Sequence, residues 1–364
     1  MNHKFDIPKT ANTISRPRLF KLLDHDPGIT VFLIIGQPAQ GKSTLAASFL
    51  ETRQEPCLWY HLTKEASGHT RVFEMLISGL KSHLGSYPNS MEPNIPQATL
   101  GARQDFLRQA ETLAFAFKKL NGPLNIVFDD LETLDETDSA HAFMEKIITD
   151  NPGNIRFFLL SRTLPPVNFK RLKMENRVME IGNQELAFNR DETRLYFQTR
   201  QLENSLTPTP SFGMSSTPID KILKITEGWA GGLALVSESF RRFKNFEQLP
   251  QRMSSDTFAY FSDEIYQSLP ANIRLFLTKT AIFHNLDTQV LSIFFPNKNV
   301  IAILRELEKR NLFIQKIDAN SKWPVYKYNR LFKNFLKADL DSNHENESIE
   351  DINRKAGDIF WDLK

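Results

Sequence analysis

The 364-residue chain has little cysteine, since Cys57 is its one thiol. A single cysteine excludes an internal disulfide and a metal site built from several thiolates. Cys57 opens the apolar run Cys57-Leu58-Trp59-Tyr60, which favours a buried structural thiol over a reactive one. Other residue types must therefore carry the chemistry of this protein.

Long hydrophobic runs and an excess of charge are also lacking. No apolar stretch reaches about 18 residues, and the N-terminus has no apolar core of the kind found in signal peptides. We therefore expect a cytoplasmic protein that does not enter a membrane. The formal net charge is +2, so long-range electrostatics give no drive toward nucleic acid.

The composition is that of a soluble protein with a large core. Hydrophobic residues make up 41% of the chain and charged residues 24%, and the length predicts two or three domains. Strand-like apolar runs alternate with amphipathic helical stretches up to about residue 185, which predicts a parallel α/β sheet covered by helices. The five predicted strands are 29–35, 57–62, 124–129, 155–161 and 177–181.

The rest of the chain is predicted to be mainly helical. Asn189 and Glu192 have the spacing of a capping box, which predicts that a helix begins there. Further helices are predicted at 218–227 and 230–243, after a loop at 205–218 that is rich in Ser, Thr and Pro. Near the end, strand candidates at 312–315 and 325–328 flank a polar turn. Three helices followed by a hairpin indicate a winged-helix domain. The predicted domains are the α/β domain at 1–186, a small helical domain at 187–249 and the winged helix at 250–364.

One segment fits the phosphate-binding P-loop pattern G-x-x-x-x-G-K-[ST] at every fixed position. A strand-like run at 29–35 precedes it and a helix-favouring run at 44–50 follows, as the motif requires. In this motif the glycines let successive N–H groups face phosphate oxygens. The segment consists of Gly36, Gln37, Pro38, Ala39, Gln40, Gly41, Lys42 and Ser43.

The motif assigns a role to each polar residue that follows the glycines. Lys42 would reach the β and γ phosphates, and the Ser43 hydroxyl would ligate Mg²⁺. Thr44, one position further on, would contact the α phosphate. The sequence therefore predicts a bound nucleotide with Mg²⁺.

A second motif lies at 126–130, where an apolar strand ends in two acids. In the Walker B interpretation Asp129 holds Mg²⁺ through water, and Asp130 orients or deprotonates the attacking water. The alternative is that both acids merely cap a strand end. Arg162 follows the next strand, at the edge of the sheet where ligands bind. We interpret it as a reader of the γ phosphate, and the alternative is a solvated surface arginine.

The base is expected to be adenine. The guanine motif N-K-x-D is missing, since Asn297-Lys298-Asn299 is followed by Val300. The signature L-S-G-G-Q of ABC-type ATPases is missing as well.

Several stretches together resemble the maltose-regulator branch of the STAND ATPases. The resemblance runs from about residue 12 to residue 362. Besides the P-loop and the Asp129-Asp130 strand, it is carried by Ile14-Ser15-Arg16-Pro17-Arg18-Leu19, Leu58-Trp59-Tyr60-His61-Leu62, Leu160-Ser161-Arg162-Thr163-Leu164-Pro165-Pro166, Glu185-Leu186-Ala187-Phe188, Gly228-Trp229-Ala230-Gly231-Gly232-Leu233 and Tyr328-Asn329-Arg330-Leu331-Phe332-Lys333-Asn334-Phe335-Leu336.

The resemblance implies a regulatory switch with weak ATPase activity. Such proteins hold ADP in a closed monomer, exchange it for ATP when an inducer is sensed, then open and self-associate until slow hydrolysis resets them. Many are LuxR-type transcription activators. In them a helical sensor domain and a DNA-binding region follow the core, whereas this chain stops near Trp361, so we expect a core module.

The resemblance also assigns residues to the base and to the phosphates. Ile14 and Arg16 would flank the adenine pocket, and Trp229 and Gly232 would lie on its helical-domain side. A tight helix junction with a core tryptophan is the alternative for this Gly-Trp motif. Asn329 stands where relatives often carry a histidine aimed at the β phosphate. Asparagine can still donate a hydrogen bond to that phosphate but cannot be cationic.

Two other functions stay open at this stage. One is a stand-alone ATPase that acts on nucleic acid or in defence. The other is a winged-helix DNA-binding regulator whose ATP site is vestigial. Direct nucleic-acid binding is not expected, because Glu306 and Glu308 alternate with Arg305, Lys309 and Arg310 in the third winged-helix segment.

Overall fold

The computed structural model describes residues 7–10, 13–83, 102–120, 122–202, 217–243, 257–318, 321–342, 354, 355, 357 and 359. The predicted domain boundary at 249–250, residues 205–216 of the predicted loop and the chain end near Trp361 lie outside these residues. The chain divides into two compact units. One comprises Met1–Gly36 and Gly41–Leu186, and the other comprises Gln37–Gln40 and Ala187–Lys364.

The first unit contains a five-stranded parallel sheet with the strand order β2-β3-β4-β1-β5. All five strands lie within one or two residues of their predicted positions, so the predicted parallel α/β class is confirmed. The strands are β1 Val31–Ile35, β2 Cys57–His61, β3 Leu124–Asp129, β4 Ile155–Ser161 and β5 Val178–Ile181.

Helices cover both faces of this sheet because its central strands are apolar on both sides. Val31 and Leu33 of β1 pack into one core cluster, whereas Phe32 and Ile34 pack into another. Successive side chains of a strand point to opposite faces of the sheet, so a strand without polar residues must be covered on both faces. The helices of this unit are α1 Pro17–Leu23, α2 Lys42–Arg53, α3 His69–His83, α4 Ala102–Lys118, α5 Ser139–Thr149, α6 Lys170–Met174 and α7 Asn183–Leu186.

The second unit is helical apart from one small sheet. The predicted capping box is present, since the Asn189 side chain accepts from the Glu192 N–H and the Glu192 side chain accepts from the Asn189 N–H. After a helical segment at 257–261 comes the π-helical turn Ser262–Tyr266. The labelled helices are α8 Arg190–Thr199, α9 Pro218–Thr226, α10 Ala230–Phe243, α11 Ala271–Thr280, α12 Thr288–Phe294, α13 Val300–Lys309 and α14 Arg330–Ser342.

The predicted hairpin forms part of a three-stranded antiparallel sheet. Its strands are β6 Leu286–Asp287, β7 Ile314–Asp318 and β8 Val325–Tyr328, in the order β6-β8-β7. Strand β6 was not predicted, since two residues are too short to show an alternating pattern. The hairpin strands agree with the predicted winged helix.

No helix among the described residues is long and apolar enough to cross a bilayer.

Gly79 is needed where helix α3 packs against strand β2. A Cβ atom there would collide with the Tyr60 hydroxyl, which donates to the Met75 carbonyl, and would lie 3.2 Å from Leu58. We expect Gly79→Ala to lower the free energy of unfolding by about 1–3 kcal/mol, despite the better helix propensity of alanine. Urea denaturation measures the change. Gly122→Ala is the control, because no atom lies within 4 Å of its added Cβ. Equal stability of the two variants would contradict this packing.

Candidate functional site

The P-loop joins strand β1 to helix α2. The Gly36 N–H donates to the carbonyl of Ser161 at the end of β4, with 3.1 Å between nitrogen and oxygen. Gly41, which immediately precedes α2, has a φ of 89°, a left-handed conformation that glycine adopts without strain. The chain therefore enters the loop beside β4 and leaves it at the start of α2, and the N-terminus of a helix favours anions.

Lys42 lies inside this loop and is 8% exposed. Its Nζ donates to the Gly36 carbonyl at 2.8 Å. Burial lowers the pKa of the Lys42 ammonium, and the negative charge of Glu132 opposes that shift. A buried ammonium that has lost hydration gains from a nearby phosphate, so its position fits a phosphate ligand.

Ser43 and Asp129 meet although they come from different elements. The Ser43 hydroxyl donates to Asp129 Oδ1 at 3.0 Å, and the Asp130 N–H donates to the same oxygen at 3.1 Å. Burial raises the pKa of Asp129, and the charge of Asp130 raises it further.

This oxygen-rich corner fits a divalent cation. Hydroxyl and carboxylate oxygens are the ligands that Mg²⁺ prefers, and a cation would counter the cost of burying the Asp129 charge. His61, Asp129 and Asp130 also offer ligand atoms within 4.8 Å of one another. Among the described residues, Ser43 and Asp129 could therefore hold a divalent cation, and Asp130 lies beside them.

Asp130 has a φ of 57°, in the left-handed region that aspartate tolerates better than most residues. Its Oδ2 lies 3.1 Å from Nδ1 of His61. His61 pairs in register with Asp129 across β2 and β3. The sequence motifs assign no role to His61, because only strand register shows that the ends of β2 and β3 coincide.

Arg162 is held by Glu132, a second residue that the sequence interpretation missed. The Arg162 Nε lies 2.9 Å from Glu132 Oε1, and its backbone N–H donates to Oε2 at 2.9 Å. The Ser161 hydroxyl donates to Oε2 at 3.3 Å. The signal available in the sequence was a third acid shortly after Asp129-Asp130. The Arg162 guanidinium, which was expected to read a γ phosphate, is therefore paired with the Glu132 carboxylate in this structure.

Ile14 and Arg16 are both buried in the first unit. Arg16 Nη1 donates to the carbonyl of Leu186 at 2.9 Å, and the Arg16 carbonyl accepts from the N–H groups of Leu19 and Phe20 in α1. Thr44, in contrast, is exposed on the first turn of α2.

The remaining predicted residues lie in the second unit, together with Gln37–Gln40. Trp229 is 1% exposed, and its indole N–H donates to the Pro38 carbonyl at 2.9 Å. A Cβ atom at Gly232 would lie 3.0 Å from Leu331 and from the Trp229 ring, so this glycine serves close packing.

Asn329 has structural partners in the second unit. Its Nδ2 donates to Glu227 Oε2 at 2.9 Å, and its Oδ1 accepts the Leu331 N–H at 3.0 Å. The side chain therefore caps helix α14. Its predicted role toward a β phosphate stays a prediction.

Two protein-family models match the chain. The MalT winged helix domain matches residues 262–348, and the N-terminal region of nephrocystin 3 matches residues 10–162. The first match covers the three-stranded sheet, and the second covers the P-loop and the Asp129-Asp130 strand.

Curated relatives match most of the chain. The HTH-type transcriptional regulator MalT of Yersinia enterocolitica is 27% identical over 337 residues, which is 90% of this chain and 35% of that protein. MalT of Yersinia pestis is 26% identical over the same length. The chain thus spans about a third of the length of these relatives.

A solved structure shares the fold. The Walker-type ATPase PABY2304 of Pyrococcus abyssi superposes with a TM-score of 0.55 at 16% identity, over 92% of this chain and 96% of that one. With the parallel sheet, the P-loop and the MalT winged-helix match, these findings show that the chain has a P-loop ATPase fold and resembles the maltose-regulator branch.

Proposed function

We propose that this chain is the ATP- and ADP-binding switch of a transcription regulator of the STAND type. The observation that supports it most is the P-loop geometry, in which Lys42 donates to the Gly36 carbonyl and Ser43 donates to Asp129 at the end of β3. The resemblance to MalT over 90% of this chain supports it as well. The MalT proteins are named as transcriptional regulators, and the proposal extends that role to this chain.

In this proposal, different residues around the loop bind different parts of the nucleotide. Lys42 and the N–H groups at the start of α2 bind phosphate oxygens. Ser43 and Asp129 hold Mg²⁺, which when bound neutralises phosphate charge. Asp130, beside His61, accepts a proton from the attacking water or orients it. Ile14 and Arg16 flank the adenine base.

Arg162 and Glu132 distinguish the two nucleotides. The Arg162 guanidinium pairs with Glu132. We expect this pairing to remain when ADP, which has no γ phosphate, is bound. A γ phosphate competes for the same donors, since phosphate accepts charge-assisted hydrogen bonds from arginine. The ADP form is closed and monomeric, and the ATP form opens and self-associates until slow hydrolysis restores ADP. The bound nucleotide therefore determines the conformational state of the protein, and rapid ATP turnover is not its main role.

Lys42→Ala tests the nucleotide site. We expect purified wild-type protein to release adenine nucleotide after acid denaturation, and the variant to bind ADP about 100-fold more weakly, because charged hydrogen bonds to the phosphates are lost. Chromatography of the released nucleotide and equilibrium titration measure this. Lys21→Ala, which removes an exposed lysine from α1, should bind as the wild type does. Unchanged nucleotide content in Lys42→Ala would refute the proposal.

Asp129→Asn and Asp130→Asn separate metal binding from proton transfer. Asp129→Asn should abolish the Mg²⁺ dependence of ATP affinity, measured with and without a chelator, because a carboxylate near the metal is lost. Asp130→Asn should keep that dependence and lower the hydrolysis rate about 100-fold. If Asp130→Asn hydrolyses ATP at the wild-type rate, the assignment of Asp130 is wrong.

Arg162→Ala tests discrimination between nucleotides. We expect about 10-fold weaker ATP binding and unchanged ADP binding, because only ATP carries the γ phosphate. Glu132→Gln should shift the preference the opposite way, since the guanidinium loses its anionic partner. Isothermal titration with both nucleotides measures the ratio. An equal loss of ATP and ADP affinity in Arg162→Ala would mean that Arg162 supports the site generally.

A further inference from the structure

The outer part of the P-loop, Gln37–Gln40, is held by the turn at 228–231. The Trp229 indole N–H donates to the Pro38 carbonyl, and the Gly231 N–H donates to the Ala39 carbonyl, both at 2.9 Å. All of these residues belong to the second compact unit. Two consecutive carbonyls of the loop therefore face one turn.

Holding these carbonyls also orients the amides of the loop. In a trans peptide the C=O and N–H bonds point in opposite directions. With the Pro38 and Ala39 carbonyls turned toward 228–231, the N–H groups of Ala39 and Gln40 point to the other side. The Gln40 N–H lies there 3.2 Å from the Gln37 carbonyl and closes the turn.

The backbone of the loop would not hold this shape by itself. Ala39 has a φ of 53°, a left-handed conformation that costs a residue with a Cβ about 1–2 kcal/mol. Ala39 is exposed and borders a cavity of about 500 Å³ that Trp229 and Tyr260 also line. Packing on that side is thus incomplete, and the two hydrogen bonds supply the constraint.

The Trp229 side chain is packed between aromatic rings. The Trp229 ring lies 5.0 Å from the Phe313 ring and 5.5 Å from the Phe261 ring, measured between centroids. Gly231 lies in the first turn of α10, where the N–H has no partner within the helix. A Cβ at Gly231 would collide with the Trp229 ring and would lie 2.9 Å from the Ala39 Cβ. Glycine is therefore needed there for space.

We propose that Trp229 and Gly231 are positioning residues of the P-loop, which act through the carbonyls of Pro38 and Ala39 to pre-set the loop for phosphates. The role deepens the proposed function and rests on it. This role differs from contact with the adenine base. It also differs from that of a helix junction with a core tryptophan, the other interpretation of the Gly-Trp motif. Preorganisation raises affinity because the ordering cost is met before the ligand arrives.

Trp229→Phe removes the donor and keeps an aromatic ring. We expect ADP affinity to fall about 3- to 10-fold, the effect of one net hydrogen bond. In nucleotide-free protein, hydrogen exchange of the peptide covering 36–43 should accelerate. Gly231→Ala, which forces Trp229 and Ala39 apart, should act in the same direction and serves if Trp229→Phe does not fold.

Phe197→Leu is the matched control, since Phe197 is fully buried in the second unit and packs on Phe240. It should lower the melting temperature without changing ADP affinity or exchange at 36–43. Wild-type affinity and exchange in folded Trp229→Phe and Gly231→Ala would overturn the proposal, and so would an equal effect of Phe197→Leu. If Lys42→Ala retains nucleotide, the proposed function fails, whereas the exchange measurement still tests the positioning role.

Discussion

The hydrogen bond between the Ser43 hydroxyl and the Asp129 carboxylate is the interaction on which the candidate site depends. It joins residues 86 positions apart, one at the start of α2 and one at the end of β3. The bond is possible because parallel strands bring their carboxyl ends to one edge of the sheet. Strand β4 lies between β1 and β3, and its last carbonyl holds Gly36. The same three strands thus fix the loop, the serine and the aspartate.

Charge gives this edge its chemical character. The Lys42 ammonium lies within the influence of Glu132, Asp129, Asp130 and Arg162. Burial lowers the pKa of Lys42 and raises the pKa of Asp129, so each shift favours the neutral form. Anionic phosphate and a divalent cation would reverse both effects together. The proposal of a nucleotide together with its metal rests on this compensation of both charges.

Much of the fold was predictable because its signals are local. Apolar runs such as Ile126 to Phe128 are buried on both faces, so they show in the sequence without knowledge of their partners. The capping box depends only on the three-residue spacing between Asn189 and Glu192. Strand β6 could not be found this way, since Leu286 and Asp287 are recognised as a strand by their pairing with β8. The order of the strands was likewise beyond the sequence pattern, because pairing is a long-range choice.

The P-loop spacing, the paired acids and the resemblance to the maltose-regulator branch were properties of the sequence itself. They predicted a P-loop ATPase fold with a winged helix, and the fold and the resemblance are confirmed. Only the tertiary structure decided that His61 lies beside Asp130, that Glu132 pairs with Arg162 and that the Trp229 indole donates to the Pro38 carbonyl. Each of these contacts joins two residues that are at least 30 positions apart in the sequence. Strand register and packing therefore decide which residues meet. A motif can specify which atoms a ligand needs, but the arrangement of those atoms is set by the whole chain.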